Sequence, residues 1–103
     1  MGVLIEETLE LASKKFSSFG FNEEQVAQLL VSGKKDLEKE LDKLKILIME
    51  DSVDIETIND SLHALKGLLY NMGNTEAGDL MNDLRNEKDS AEEIIAIKKI
   101  LEL

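Results

Sequence analysis

A chain of 103 residues holds one domain with a single modest core and is too short for two. Its formal charge of −10, with 12 basic residues dispersed among 22 acids, repels phosphate backbones and anionic lipid, so nucleic acid and membrane surfaces are set aside as partners. Hydrophobic content of 43% beside 33% charged residues excludes wholesale disorder, and the absence of cysteine excludes disulfides and thiolate metal sites and fits a cytoplasmic location. The start, Met1-Gly2-Val3-Leu4-Ile5-Glu6-Glu7, has no basic stretch and turns acidic at once, unlike a secretory signal, and Glu6 stands where a myristoylation motif wants Ser or Thr. The longest apolar run, Ile46-Leu47-Ile48-Met49, is far short of the ~20 residues that span a bilayer.

Five helices follow from a 3.6-residue period and the breaks between them. The first is predicted over 2–16, with Ile5, Leu9, Ala12 and Phe16 on one face, and Ser17-Ser18-Phe19-Gly20-Phe21 interrupts it. Asn22 has the character of an N-cap, with Glu23 and Glu24 in the first turn, where the helix dipole favours acids. The second helix runs over 23–49, its apolar line Val26, Leu30, Gly33, Leu37, Leu41, Leu44 and Ile48. Gly33 within it permits a kink, fraying or a close packing contact. The pairs Asp36–Lys39, Glu40–Lys43 and Asp42–Lys45 read as a solvated face.

After Asp51-Ser52-Val53 the third helix is predicted over 54–72, with Ile55, Ile58, Leu62, Leu65, Leu69 and Met72 as an unbroken core stripe. Gly73 is a natural C-cap and Asn74 the N-cap of a fourth helix over 75–86, which packs through Ala77, Leu80, Met81 and Leu84. Asn86-Glu87-Lys88-Asp89 closes it. Ser90, with Glu93 three residues later, fits a capping box for a fifth helix carrying Ile94, Ile97 and Leu101. There is no strand signal, repeat or low-complexity tract. Short connections between long amphipathic helices imply an all-α, antiparallel up-and-down four-helix bundle with an additional N-terminal helix.

The chain has one histidine, His63. Leu62 and Leu65 face the core, so His63 lies about 100° off that stripe, on the flank. Lys66, Gly67 and Tyr70 share its face. Together they present a nucleophilic nitrogen, a cation for an incoming anion, and an absent side chain that opens the approach. Each has an ordinary reading too. A lone helical histidine is most often a surface residue, a lysine a solvated cation, and a mid-helix glycine, which costs about 1 kcal/mol against alanine, a point of close packing. With helix–helix turns centred near 74 and 51, His63 lies level with Arg85 on one side and with positions 39 and 40 on the other. Arg85 is thus an auxiliary cation, or else a solvated residue of a last helical turn, and Lys39 or Lys43 is a weaker candidate.

The run Ser61-Leu62-His63-Ala64-Leu65-Lys66-Gly67-Leu68-Leu69-Tyr70-Asn71-Met72-Gly73 resembles the signature of histidine-containing phosphotransfer (HPt) domains. That signature has the form His-x-x-Lys-Gly, followed by small residues and a later Gly, and His63, Lys66, Gly67 and Gly73 match it. The departures are Leu68 and Leu69, where the family usually has small residues, and Tyr70, where it often has something smaller. The resemblance covers about residues 22–103. It divides the single domain, 1–103, into an N-terminal helix and linker over 1–21 and a four-helix core over 22–103.

The resemblance implies that His63 accepts a phosphoryl group from the aspartyl phosphate of a response-regulator receiver domain and passes it to another receiver. Lys66 would offset charge on the transferring group, Gly67 would admit the receiver's loops, and Tyr70 and Arg85 would be auxiliary. The partners implied are receiver domains and a hybrid histidine kinase, in a two-component phosphorelay. The receiver would supply Mg²⁺, leaving this chain with no cofactor or metal of its own. With no glycine-rich loop for a nucleotide, the protein would be a cytoplasmic, monomeric phosphocarrier rather than a stand-alone enzyme. A start at Met1 and an end at the close of a helix point to a free-standing protein. The alternative is a helical docking module that binds a receiver or kinase without carrying phosphate, as the bulk of Leu68 and Tyr70 would favour. A kinase phosphoacceptor hairpin fits poorly, because it usually shows an acid directly after the histidine and a proline soon after, and here Ala64 follows in a chain without proline.

Overall fold

The first turn of a helix leaves amide groups without partners, and an Asn or Asp side chain just ahead of it satisfies them. Four such residues set the helix starts here. The computed structural model of the protein describes residues 2–50 and 54–103, and all the regular structure among them is helical. The helices are α1 (Gly2–Ser18), α2 (Glu23–Met49), α3 (Ile55–Asn71), α4 (Thr75–Arg85) and α5 (Ser90–Ile100). Asn22 opens α2 with a capping box: its side chain accepts from Gln25 N at 2.8 Å, and its own N–H donates to Gln25 Oε1 at 3.0 Å. Asp54 opens α3, accepting from Glu56 N and from the Thr57 amide and hydroxyl. These bonds, the Thr57 hydroxyl first, hold its carboxyl below the usual range. Asn74 opens α4 by accepting from Ala77 N at 3.2 Å. The predicted break at Asp51-Ser52-Val53 lies outside the described residues.

The start of α5 corrects the sequence reading. Its N-cap is Asp89, which accepts from Ala91 N at 3.0 Å and Glu92 N at 3.4 Å, and not Ser90. With the cap one residue earlier, Glu93 turns into the protein interior instead of back toward the cap. Helix α1 also runs two residues beyond its predicted end, to Ser18, whose hydroxyl donates to Lys15 O at 2.6 Å.

Helix α3 ends as its sequence prescribes. Gly73 adopts φ +84°, the left-handed conformation that costs glycine no Cβ clash. Its N–H donates to Tyr70 O, and Asn74 N donates to Leu69 O at 2.8 Å, the paired bonds of a Schellman motif. The chain then reverses into α4. Lys66 bonds to Asn82 and Tyr70 to Asp79, so rising position on α3 meets falling position on α4, and the two form an antiparallel hairpin.

The core joins one stripe from each of α2 to α5. Leu37, Leu41, Leu44 and Ile48 of α2 meet Ile58, Leu62, Leu65 and Leu69 of α3, and Met81, Leu84 and Ile97 close the other side. Burial of such side chains stabilises by about 1.5–3 kcal/mol each before entropy is counted. Gly33 is a packing glycine: a Cβ there would strike the Met72 side chain.

Three expectations fail locally. Leu80, placed in the α4 core stripe, is 43% exposed, and Gly78 takes the inward place against the ring of Tyr70. Glu40 is half-buried, with Oε2 enclosed and unpartnered, and so is not part of a solvated face. None of the three acid–lysine pairs expected on α2 closes among the described residues. Lys14–Glu10 at 3.7 Å and Lys34–Glu38 at 3.8 Å do close.

Helix α1 adds Leu4 and Ile5 to the edge of the core and buries Thr8 and Ala12 completely. Among the described residues no helix is long and apolar enough to cross a membrane.

Candidate functional site

Because Leu62 and Leu65 are fully buried, the residues about 100° away on α3 emerge on its flank. His63 is exposed there and Lys66 is half-buried one turn on. Gly67 is exposed, and a Cβ added to it would meet nothing within 4 Å. Close packing, the ordinary explanation of a mid-helix glycine, therefore does not apply to it. The imidazole stands beside a bare stretch of helix backbone.

The flank faces α4. Lys66 Nζ donates to Asn82 Oδ1 at 3.2 Å, which draws the cation toward α4. Tyr70 does not rise as a rim beside the histidine. Its ring lies over Gly78, where a side chain would collide with it, and its hydroxyl donates to Asp79 Oδ1 at 2.5 Å. That hydrogen bond, with burial and the charges of Asp79 and Asp83, raises the phenol above its ordinary value.

Arg85 sits in the last turn of α4, half-buried, with Nε enclosed and unpartnered among the described residues. It is more enclosed than a solvated residue of a final turn. The hairpin register set by the Lys66–Asn82 bond carries α3 back to the level of His63 as α4 advances to Arg85. Asn59, one turn before His63, likewise has a buried Oδ1 without a partner.

On the other side, α2 and α3 enclose a depression of about 450 Å³ lined by Lys39, Glu40, Ala64, Gly67 and Leu68 among others. Lys39 thus lines the same depression as Gly67, and Lys43 is exposed further along α2. Leu68 is half-buried in this depression, whereas Leu69 is a full core residue.

The sequence reading did not find Asn82, Asp79 or Gly78. A signal was present, since 79 and 82 are three apart on α4 and face 70 and 66 once the hairpin turn is centred at 74. Among the described residues no group of His, Asp and Glu side chains is placed to hold a metal ion. Chemically, the flank presents an accessible imidazole, a cation one turn away and an open approach between them, an arrangement suited to nucleophilic attack on an anionic electrophile.

Comparison with protein-family models, with curated proteins and with solved structures finds no match.

Proposed function

We propose that the protein is a phosphohistidine carrier of the HPt type, which takes a phosphoryl group on His63 from the aspartyl phosphate of a receiver domain and hands it to another. One observation carries this reading: exposed His63 lies one turn from exposed Gly67, where among the described residues an added Cβ would meet nothing within 4 Å. A glycine that weakens its own helix by about 1 kcal/mol and packs against nothing is explained by a partner that needs the room.

In the transfer a ring nitrogen of His63 attacks phosphorus. An N–P bond forms as the acyl O–P bond breaks, and the receiver's carboxylate leaves. The receiver supplies the Mg²⁺. Lys66 and Arg85 lower the cost of bringing the charged group onto the flank, and Tyr70 braces α3 on α4. The architecture that serves this is an antiparallel up-and-down bundle of α2 to α5, residues 22–103, with 1–21 laid against it. The carrier works as a cytoplasmic monomer between response regulators, and a hybrid kinase is its most direct source of phosphate.

A specific observation favours the alternative of a docking module that carries no phosphate. Lys66 Nζ is already engaged by Asn82, and Leu68 adds bulk beside Gly67. Phosphotransfer from receiver domains pre-loaded with acetyl phosphate separates the two. Acid-labile, alkali-stable label on the wild type and none on His63→Gln supports the carrier. Binding of a receiver without label assigns docking alone, and label retained by His63→Gln removes His63 as the acceptor.

A further inference from the structure

A second surface includes none of His63, Lys66 and Gly67. Between α1, α4 and the end of α5 runs a groove of about 790 Å³. Its apolar lining includes Val3, Leu4, Leu80 and Ile100. Val3 is 57% and Leu80 43% exposed. Leu80 occupies a position that helical periodicity assigns to the core, so the fold leaves uncovered a side chain whose burial would be favourable.

The borders of the groove are acidic. Glu7, Glu76, Asp79 and Asp83 line it against a single lysine, Lys99, in a chain of net charge −10. Asp79 is engaged by Tyr70, while Glu7, Glu76 and Asp83 are exposed. An apolar floor between carboxylates selects its occupant by charge. A second copy of this chain, a nucleic acid or an anionic lipid surface would each bring more negative charge to it.

We propose that this groove is a docking site for a basic amphipathic helix of a partner protein. The helix lays an apolar face on Val3, Leu80 and Ile100 and sets Lys or Arg side chains against Glu7, Glu76 and Asp83. Helix α4 is 11 residues long, which at 1.5 Å per residue gives a track of about 16 Å, room for about three turns of a guest helix and its anchors at i, i+3 or i+4, and i+7. None of His63, Lys66 and Gly67 lines the groove, whereas Asp79, which holds the Tyr70 hydroxyl, does.

The test uses the full chain and a fluorescent helical peptide of Leu and Lys in amphipathic order, with a Leu/Glu peptide of the same pattern as control. Saturable binding of the Lys peptide is expected, falling about tenfold or more in Leu80→Asp and in the pair Glu76→Lys, Asp83→Lys, and weakening with salt. Amide chemical shifts should move at Val3, Leu80 and Ile100, and His63→Gln should bind as the wild type does. Since Leu80 is exposed, its variant keeps the fold, which far-UV circular dichroism verifies. Equal binding by Leu80→Asp, equal binding of the Glu peptide, shifts centred on Ile46 and Met49 of α2, or self-association through the groove would each overturn the proposal. So would no saturation up to about 1 mM.

Discussion

Asn74 Nδ2 donates to Thr8 Oγ1 at 2.8 Å, a buried hydrogen bond that ties α1 to the turn between α3 and α4. The same side chain accepts from Ala77 N and so caps α4. One amide therefore fixes the entry of α4 and the seat of α1. Asn74→Ala removes the cap, worth about 1 kcal/mol, and leaves the buried Thr8 hydroxyl without its donor, worth about 1–3 kcal/mol more. A loss of about 2 kcal/mol or greater in urea unfolding is expected. Thr8→Val should cost less, because the cap survives. The double variant should fall short of the sum, since both act on one bond. Strict additivity would show that the two side chains do not work as a pair.

Lys15 reaches from α1 to the other end of the same junction. Its Nζ donates to Tyr70 O at 3.1 Å and Asn71 O at 3.0 Å, carbonyls in the last turn of α3, the first of which also accepts from Gly73 N, and it lies over the Phe19 ring at 5.8 Å. A cation at a helix C-terminus also meets the negative end of the dipole. Lys15→Met should destabilise by about 1 kcal/mol. Its neighbour Lys14 makes a single ion pair with Glu10, both side chains more than two-thirds exposed at 73% and 72%, and Lys14→Met should change stability by less than about 0.5 kcal/mol. Equal losses in thermal unfolding would mean that the α3 carbonyls gain nothing from Lys15.

Glu93 is 1% exposed, and its Oε1 has no partner among the described residues. Burial first, and the nearby Glu87 charge second, push its carboxyl above the usual range. The folded protein therefore holds this proton at pH values where the unfolded chain has released it. Stability from the protonated group is complete below the ordinary carboxylate range and is lost as pH rises through the raised value. Glu93→Gln keeps the shape and removes the titration. The variant should match the wild type near pH 4 and exceed it by about 1 kcal/mol at pH 7. The difference between the two pH–stability curves is the measurement, because other carboxylates titrate in both. A difference that stays flat with pH would place Glu93 in water.

What was legible follows from which forces are local. The α3 stripe from Ile58 to Met72, the caps at Asn22 and Asn74 and the Gly73 terminus could be read because each depends on spacing or on a neighbouring amide. Leu80, Glu93 and Thr8 could not, because a fractional rotation of a helix decides which side of a narrow stripe is covered, and packing between helices sets that rotation. Asp89 took the cap from Ser90 since both residue types suit it, and nothing in the local sequence separates them. At the site, the shared face of His63, Lys66 and Gly67 was legible from the helical period. The bonds of Lys66 to Asn82 and Tyr70 to Asp79 needed the register of the hairpin. The emptiness around Gly67 needed the whole tertiary structure.

Gly67 and Gly78 make the sharpest contrast in the chain. Both lie inside helices, where glycine costs about 1 kcal/mol against alanine. A Cβ on Gly78 would overlap the Tyr70 ring, so Gly78→Ala must displace the tyrosine and with it the bond to Asp79, a loss of about 1–3 kcal/mol. A Cβ on Gly67 meets nothing, so Gly67→Ala should stabilise by about 0.5–1 kcal/mol and raise Tm by a few degrees. Under the phosphocarrier reading the same methyl group stands where a receiver must approach. Gly67→Ala should therefore melt later yet accept phosphate more slowly, by about tenfold for a contact worth about 1.4 kcal/mol in the transfer complex. Thermal unfolding and single-turnover phosphotransfer on the one variant read both effects. A more stable variant with an unchanged transfer rate would mean that the open backbone beside His63 admits no partner, and the glycine would lose its functional explanation.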